Sequence, residues 1–92
     1  MKAKDIYQEV LSLRRESFSE KHLLVTEAKG VLGEALMGLG EYKKAKVLLV
    51  ECLQIFRETR GDDDPRTKRS IRRLIELYEA TNENKKAEAL KQ

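Results

Sequence analysis

Apolar residues recur along the chain at the three- and four-residue spacing of one face of an α-helix. The clearest stripe comprises Ala45, Leu48, Leu49, Cys52, Leu53 and Phe56. Similar stripes comprise Ala3, Ile6, Tyr7, Val10 and Leu11 before it, a wider set within 24–39, and Ile71, Leu74, Ile75 and Tyr78 after it. The pattern predicts an all-α chain with five helices, at about 2–18, 23–38, 42–59, 66–80 and 84–91.

Glycine, proline and short polar clusters separate these stripes. Gly61 is placed to end one helix, and Asp64 can cap the next. Pro65 then takes the first helical position, where proline is tolerated because a backbone N–H there has no hydrogen-bond partner within the helix. Segments 38–40 and 81–84 are short enough to be turns inside antiparallel helical hairpins.

The chain also repeats itself with a period of 42 residues. Lys2-Ala3-Lys4 returns as Lys44-Ala45-Lys46, Arg15-Glu16 as Arg57-Glu58, and Lys43-Lys44-Ala45 as Lys85-Lys86-Ala87. A fixed period of this length is typical of repeat architectures, in which each unit is one supersecondary element. The sequence therefore predicts a duplicated helical hairpin.

Composition excludes several classes of protein. The 92 residues fit one domain, and 38% of them are charged. No stretch is long and apolar enough to span a membrane, and the amino end lacks the apolar run of a signal peptide. The net charge of +3 is too small to indicate nucleic-acid binding by itself. A lone cysteine, Cys52, fits a reducing compartment, so we expect a cytoplasmic protein.

The spacing of small and large residues resembles the tetratricopeptide repeat (TPR) consensus. Residues 26–59 carry it most fully, and the next unit carries it less completely. The matching positions are Leu32, Gly33, Leu36, Gly40, Tyr42, Ala45, Leu49 and Cys52, followed by Ile71, Leu74, Tyr78 and Ala87. The 42-residue period, the loop at 61–65 and His22, which aligns with Asp64, look more specifically like kinesin-light-chain-type repeats.

The resemblance implies a short right-handed solenoid of stacked antiparallel hairpins. We expect one domain over 1–92, made of an unpaired helix at about 2–18, a hairpin at about 23–59 and a truncated hairpin at about 66–91. In this packing, Gly33, Ala45 and Cys52 let helices approach closely. The predicted core comprises Leu32, Leu36, Leu48, Cys52, Leu53, Leu74 and Tyr78.

No residue pattern indicates catalysis, a metal or another cofactor. His22 and Cys52 have no neighbouring partner at catalytic or metal-ligand spacing, so helix capping and core packing are their simpler roles. Residues 62–64 are all aspartate, but they lack the alternating ligands of a calcium loop and fit a helix cap better. We therefore expect a protein that is not an enzyme.

The basic cluster Arg66, Lys68, Arg69, Arg72 and Arg73 is the main candidate for binding. It lies in the first turns of a helix, where the helix dipole disfavours cations. The sequence is compatible with two interpretations of this cluster, a charged face exposed to solvent and a binding site. In the TPR family, the first helices of successive hairpins line a concave groove that holds peptides. The resemblance places these predicted site residues there: Glu34, Met37, Arg69, Arg72, Arg73 and Glu76.

The function that the sequence favours is a protein–protein interaction scaffold. Its groove would hold an acidic partner peptide, with arginines binding carboxylates and Met37 giving apolar contact. Arg69 and Arg73 match two basic positions of the family's carboxylate clamp, whereas Gly30, Val31 and Glu34 replace its other residues. One alternative is a structural or self-assembling solenoid fragment, as a homo-oligomer or within a longer array. A weaker one is nucleic-acid binding through 66–73.

Overall fold

A computed structural model of the chain describes residues 2–92, which form five α-helices and no strand. The helices are α1 (Ala3–Ser17), α2 (Leu23–Gly38), α3 (Tyr42–Arg60), α4 (Pro65–Ala80) and α5 (Asn84–Lys91). Their bounds lie within one residue of the predicted ones. No helix in this range is both long and apolar enough to cross a membrane.

Consecutive helices pack against each other, and the chain has two layers. Helix α2 packs between α1 and α3, and α4 packs between α3 and α5, while α2 also touches α4. Helices α1, α3 and α5 do not pack against one another within the described part of the chain. The smallest Cα extent, 16 Å, fits two layers of helices whose axes lie about 8–10 Å apart. The all-α fold of stacked helical hairpins is therefore confirmed.

The helix ends repeat with the 42-residue period. The backbone N–H of Leu24 donates to His22 Nδ1 at 3.1 Å, and that of Arg66 donates to Asp64 Oδ1 at 2.8 Å. The two capping residues occupy matching positions of the repeat, and the cap by Asp64 is the one that the sequence predicted. At the other end of α2 and α4, Gly40 and Asn82 adopt positive φ angles of 80° and 62°. A positive φ ends the helix because the chain leaves the helical path there.

The core lies where α2, α3 and α4 meet. Leu49 and Cys52 of α3 are fully buried, and a Cβ added at Gly33 would lie 2.8 Å from Leu49 Cδ2. Gly33 therefore sets the close approach of α2 to α3, as predicted. The predicted core is buried, except that Leu48 and Tyr78 are half-buried and pack against it.

The core face of α4 differs from the predicted stripe. Leu74 is buried, but Ile71 and Ile75 are only half-buried, whereas Thr67, Ser70 and Leu77 are buried although the apolar pattern omitted them. The physical reason is that α4 has two packed faces. Ser70 Oγ lies 3.4 Å from Cys52 Sγ, so one face meets α3 of the preceding hairpin. The other face packs on α5, which has only eight residues, and Ile71 packs against the core without being enclosed by it.

Surface ion pairs follow the same period. Arg15 pairs with Glu20 at 2.9 Å, and Arg57 pairs with Asp62 at 3.1 Å. Lys4 pairs with Glu41, and its counterpart Lys46 pairs with Glu83. Lys44 and Lys86 pair with the same two glutamates. Each second pair lies 42 residues after the first, so the repeat extends to polar contacts as well as to the core.

One lysine is buried without a counterpart in the second hairpin. Lys29 is 3% exposed, and its Nζ lies 2.9 Å from Glu20 Oε1 and 3.2 Å from Glu51 Oε2. It joins α2 to α3 and to the loop that follows α1. Hydrogen bonds from Lys29 and then from Arg15 hold the pKa of the Glu20 carboxyl below its usual range. At the matching position of α4 stands Ile71.

Candidate functional site

The predicted site residues belong to α2 and α4, which lie side by side in one layer. We call their outer surface the α2–α4 face. A small cleft of about 110 Å³ runs between the two helices, with Phe56 of α3 at its floor. Its other lining residues are Glu27, Val31, Arg66, Arg69 and Arg73. The cleft thus combines three arginines, one carboxylate and an apolar floor.

Arg73 is held inside this face. Its Nε lies 2.7 Å from Glu34 Oε2, and its side chain is only 13% exposed. The guanidinium crosses the bare backbone of Gly30, where an added Cβ would lie 2.5 Å from Arg73 Nη1. Glycine at this position therefore makes room for the arginine. The structure brings Arg73 and Glu34 together as partners, so this arginine already has a carboxylate.

Arg66 makes a second bridge between the two helices. Its Nε lies 3.1 Å from Glu27 Oε1, and its Nη1 lies 3.6 Å from Asp64. Both bridges join residues 39 positions apart, one turn short of the 42-residue period. Sequence reasoning missed the contribution of Arg66 to the cleft. The signal was present, because two arginine–glutamate pairs share one spacing across adjacent first helices.

The remaining cations of the basic cluster are free. Lys68, Arg69 and Arg72 are exposed, and within residues 2–92 none of their side chains makes an ion pair or hydrogen bond. Arg69 lines the cleft, whereas Arg72 does not. An exposed arginine without a partner can form a two-pronged hydrogen bond with an incoming carboxylate at little desolvation cost. The cluster therefore contains two arginines that pair with glutamates of α2 and two that can bind a carboxylate of a ligand.

The other two predicted residues lie outside the cleft. Glu76 is exposed on α4, at the position matching Glu34. Met37 is half-buried and packs against the core, so only part of its side chain is open to a ligand. The structure thus unites Glu34, Arg69 and Arg73 and leaves Met37, Arg72 and Glu76 beside them.

Cys52 and His22, the other candidates for chemistry, occupy structural positions. Cys52 is buried, its Sγ lies 3.5 Å from Thr26 O, and burial raises the pKa of its thiol, so thiolate reactivity is suppressed. His22 serves as a helix cap. No group of three or more histidine, cysteine or acidic side chains in this range could hold a metal ion.

Comparison with known proteins identifies one family. A family model described as "Tetratricopeptide repeat" matches residues 24–92, which is three quarters of the chain. Neither a curated protein nor a solved structure gives a match. The matched region includes the residues on both sides of the cleft, α2 from its second residue onward, and all of α3 to α5.

Proposed function

Because the chain belongs to the tetratricopeptide repeat family, we propose that it binds an acidic peptide segment of a partner protein on the α2–α4 face. Tetratricopeptide repeats generally mediate protein–protein interactions, and the family consists of non-enzymatic scaffolds. A cytoplasmic setting is part of the proposal, supported by the free, buried thiol of Cys52.

The observation that carries the proposal is the division of the arginines. Arg66 and Arg73 are already neutralised by glutamates of α2, and they fix the walls of the cleft. Arg69 and Arg72 are exposed and have no partner among residues 2–92; Arg69 lies inside the cleft and Arg72 beside it. Charge-assisted hydrogen bonds to carboxylates are the strong ones available to them. Phe56 and Val31 would receive a small apolar side chain of the peptide.

The test begins with peptides selected on an array for binding to the full chain. We expect acidic sequences to be selected. Arg69→Ala and Arg72→Ala should each weaken binding about tenfold or more in calorimetry, since a charge-assisted hydrogen bond contributes about 1.5–3 kcal/mol. Arg60→Ala is the matched control, because this exposed arginine belongs to α3 in the other layer. Equal affinity for all variants would contradict the proposal.

Self-assembly is a second candidate, supported by α1. Tyr7 is 36% exposed and Ile6 is 42% exposed, whereas Leu49, which matches Tyr7, is fully buried. An uncovered face of this kind would suit another copy of the chain or a further repeat. Light scattering over a wide concentration range tests the homo-oligomer. A monomer at high concentration would contradict it.

Nucleic-acid binding has less support. Two of the five cations of the basic cluster are neutralised by Glu27 and Glu34. Backbone phosphate contacts would then depend on Lys68, Arg69 and Arg72. Binding of unrelated nucleic acids that weakens steeply with salt would favour this function over peptide binding.

A further inference from the structure

The opposite surface of the protein carries two clefts. Helices α1, α3 and α5 form this second layer, and we call its outer surface the α1–α3–α5 face. The first cleft, of about 490 Å³, lies between α1 and α3 above α2. The second, of about 290 Å³, lies between α3 and α5 above α4. Both are larger than the cleft on the α2–α4 face.

The two clefts are built from matching positions. Ten residues line the first cleft and nine line the second, and each of the nine lies 42 residues after one of the ten. The apolar floor formed by Leu11, Leu32 and Leu48 returns as Leu53, Leu74 and Leu90. One binding motif would therefore meet the same three leucines, one arginine and one lysine twice, one repeat apart.

The charge of the clefts is of one sign. The first is lined by Lys4, Arg15 and Lys44 and the second by Arg57 and Lys86, and no acidic residue of the described range 2–92 lines either cleft. These cations pair with acids at the rim. The pairs of Arg15 and Arg57 are largely exposed to solvent, that of Lys86 is partly exposed, and Lys4 and Lys44 share the half-buried Glu41. Exposed ion pairs contribute little to stability, so an incoming carboxylate can replace the rim acid at small cost.

We propose that the α1–α3–α5 face is a second interaction surface, whose two clefts bind successive copies of one acidic–apolar motif in a partner protein. In each cleft, a large apolar side chain of the motif would lie on the leucine floor. Its neighbouring carboxylates would pair with the cations of the wall. The charge complementarity favours this partner over a second copy of the chain, and the repetition favours a partner with more than one motif. The inference does not depend on the α2–α4 face.

Each cleft has an exposed rim residue at a matching position, where a substitution can test the proposal. The rim residue Val47 of the first cleft is 58% exposed, and its counterpart in the second is the exposed Ala89. Glutamate at either position adds a negative charge to one cleft without disturbing the core. Val47→Glu and Ala89→Glu are therefore matched variants, and circular dichroism checks that both remain folded.

The probes are synthetic peptides in which leucines alternate with glutamates, as a single motif and as two motifs joined by a flexible linker. Nuclear magnetic resonance of the full chain should show shifts at residues of both clefts. The joined peptide should bind about 100-fold more tightly than the single one. Either Val47→Glu or Ala89→Glu should remove this gain, and the double variant should remove binding. A peptide with lysine in place of glutamate should not bind.

Three results would overturn the proposal. In the first, the peptides shift resonances only on the α2–α4 face, and Arg69→Ala abolishes these shifts. This result would support the proposed function instead. Another is equal binding of the lysine peptide, which would remove the role of charge. The third is no shift in either cleft with any of the acidic peptides. The opposite result would support the proposal: the acidic peptides no longer bind the double variant but still bind Arg69→Ala. That result would hold whether or not the α2–α4 face also binds a peptide.

Discussion

The two hairpins, α2–α3 and α4–α5, have the same register but pack internally in different ways. In the first, Gly33 lets α2 approach Leu49 of α3, and Lys29 is buried between the helices. In the second, Ile75 and Ile71 stand at the matching positions and are half-buried. A 19-residue helix covers α2, whereas an eight-residue helix covers α4. This repeat therefore preserves its backbone register more strictly than it preserves the side chains that fill the interface.

The largest effect is expected from Gly33→Leu. The added side chain would overlap Leu49, which is fully buried and cannot move into solvent. Overpacking of this kind costs about 1–3 kcal/mol or more, so the variant should melt at a lower temperature or lose cooperative unfolding. Gly38→Leu is the control, since nothing lies within 4 Å of a Cβ there and leucine favours helix. If Gly33→Leu melts with the parent protein, the assigned contact between α2 and α3 is wrong.

A second prediction exchanges two matching residues of α2 and α4. Val25 and Thr67 are both completely buried, and Thr67 Oγ1 has no hydrogen-bond partner within residues 2–92. An unsatisfied buried hydroxyl costs about 1–3 kcal/mol, so Thr67→Val should stabilise the protein and Val25→Thr should destabilise it. Urea unfolding of both variants measures the two changes. Destabilisation by Thr67→Val would mean that the hydroxyl has a favourable contact in solution.

The helix caps offer a third comparison. Asp64 and His22 accept hydrogen bonds at the starts of α4 and α2, and an N-cap contributes about 0.5–2 kcal/mol. Asp64→Ala should cost more than His22→Ala, because a carboxylate also interacts favourably with the helix dipole. Thermal denaturation at neutral pH ranks the two variants. The reverse order would show that the stacking of Phe18 on His22, with ring centres 4.2 Å apart, contributes more than the dipole does.

The smallest effect at neutral pH is expected from Lys29→Met. The partners of Lys29 are exposed glutamates, so its removal leaves no buried charge, and the free energy of unfolding should change by less than about 1 kcal/mol. The pH dependence should change more clearly. The lowered pKa of Glu20 stabilises the folded state above the ordinary glutamate pKa, and this is lost as the pH falls through the lowered value.

Urea unfolding between pH 7 and pH 3 measures that difference. The parent protein should lose more stability on acidification than Lys29→Met, since the variant lacks the main hydrogen bond that lowers the pKa of Glu20. Arg15→Met is the companion variant, because Arg15 is the second cause of the same shift. It should reduce the acid loss by a smaller amount. Identical pH profiles for all three proteins would contradict the assignment.

The sequence predicted the helices and turns because their signals are local. Asp64, Pro65 and Gly61 act within a few residues, and apolar spacing indicates a helix without knowledge of its neighbours. The two packed faces of α4 could not be predicted, because polar Thr67 and Ser70 are buried only through their contact with α3. In the same way, the resemblance to tetratricopeptide repeats placed Arg73 on a binding face but could not show that Glu34 already pairs with it.

The arginine bridges between α2 and α4 also affect the shape of the protein. The pairs of Arg66 with Glu27 and of Arg73 with Glu34 span the seam between successive hairpins, where α2 and α4 touch only lightly. Concentrated salt weakens attraction between partly exposed charges. The angle at this seam should then widen as ionic strength rises, and the Cα radius of gyration of 12.8 Å should increase. In an array of such repeats, each seam would add its own small rotation, and salt would act on the curvature of the whole superhelix.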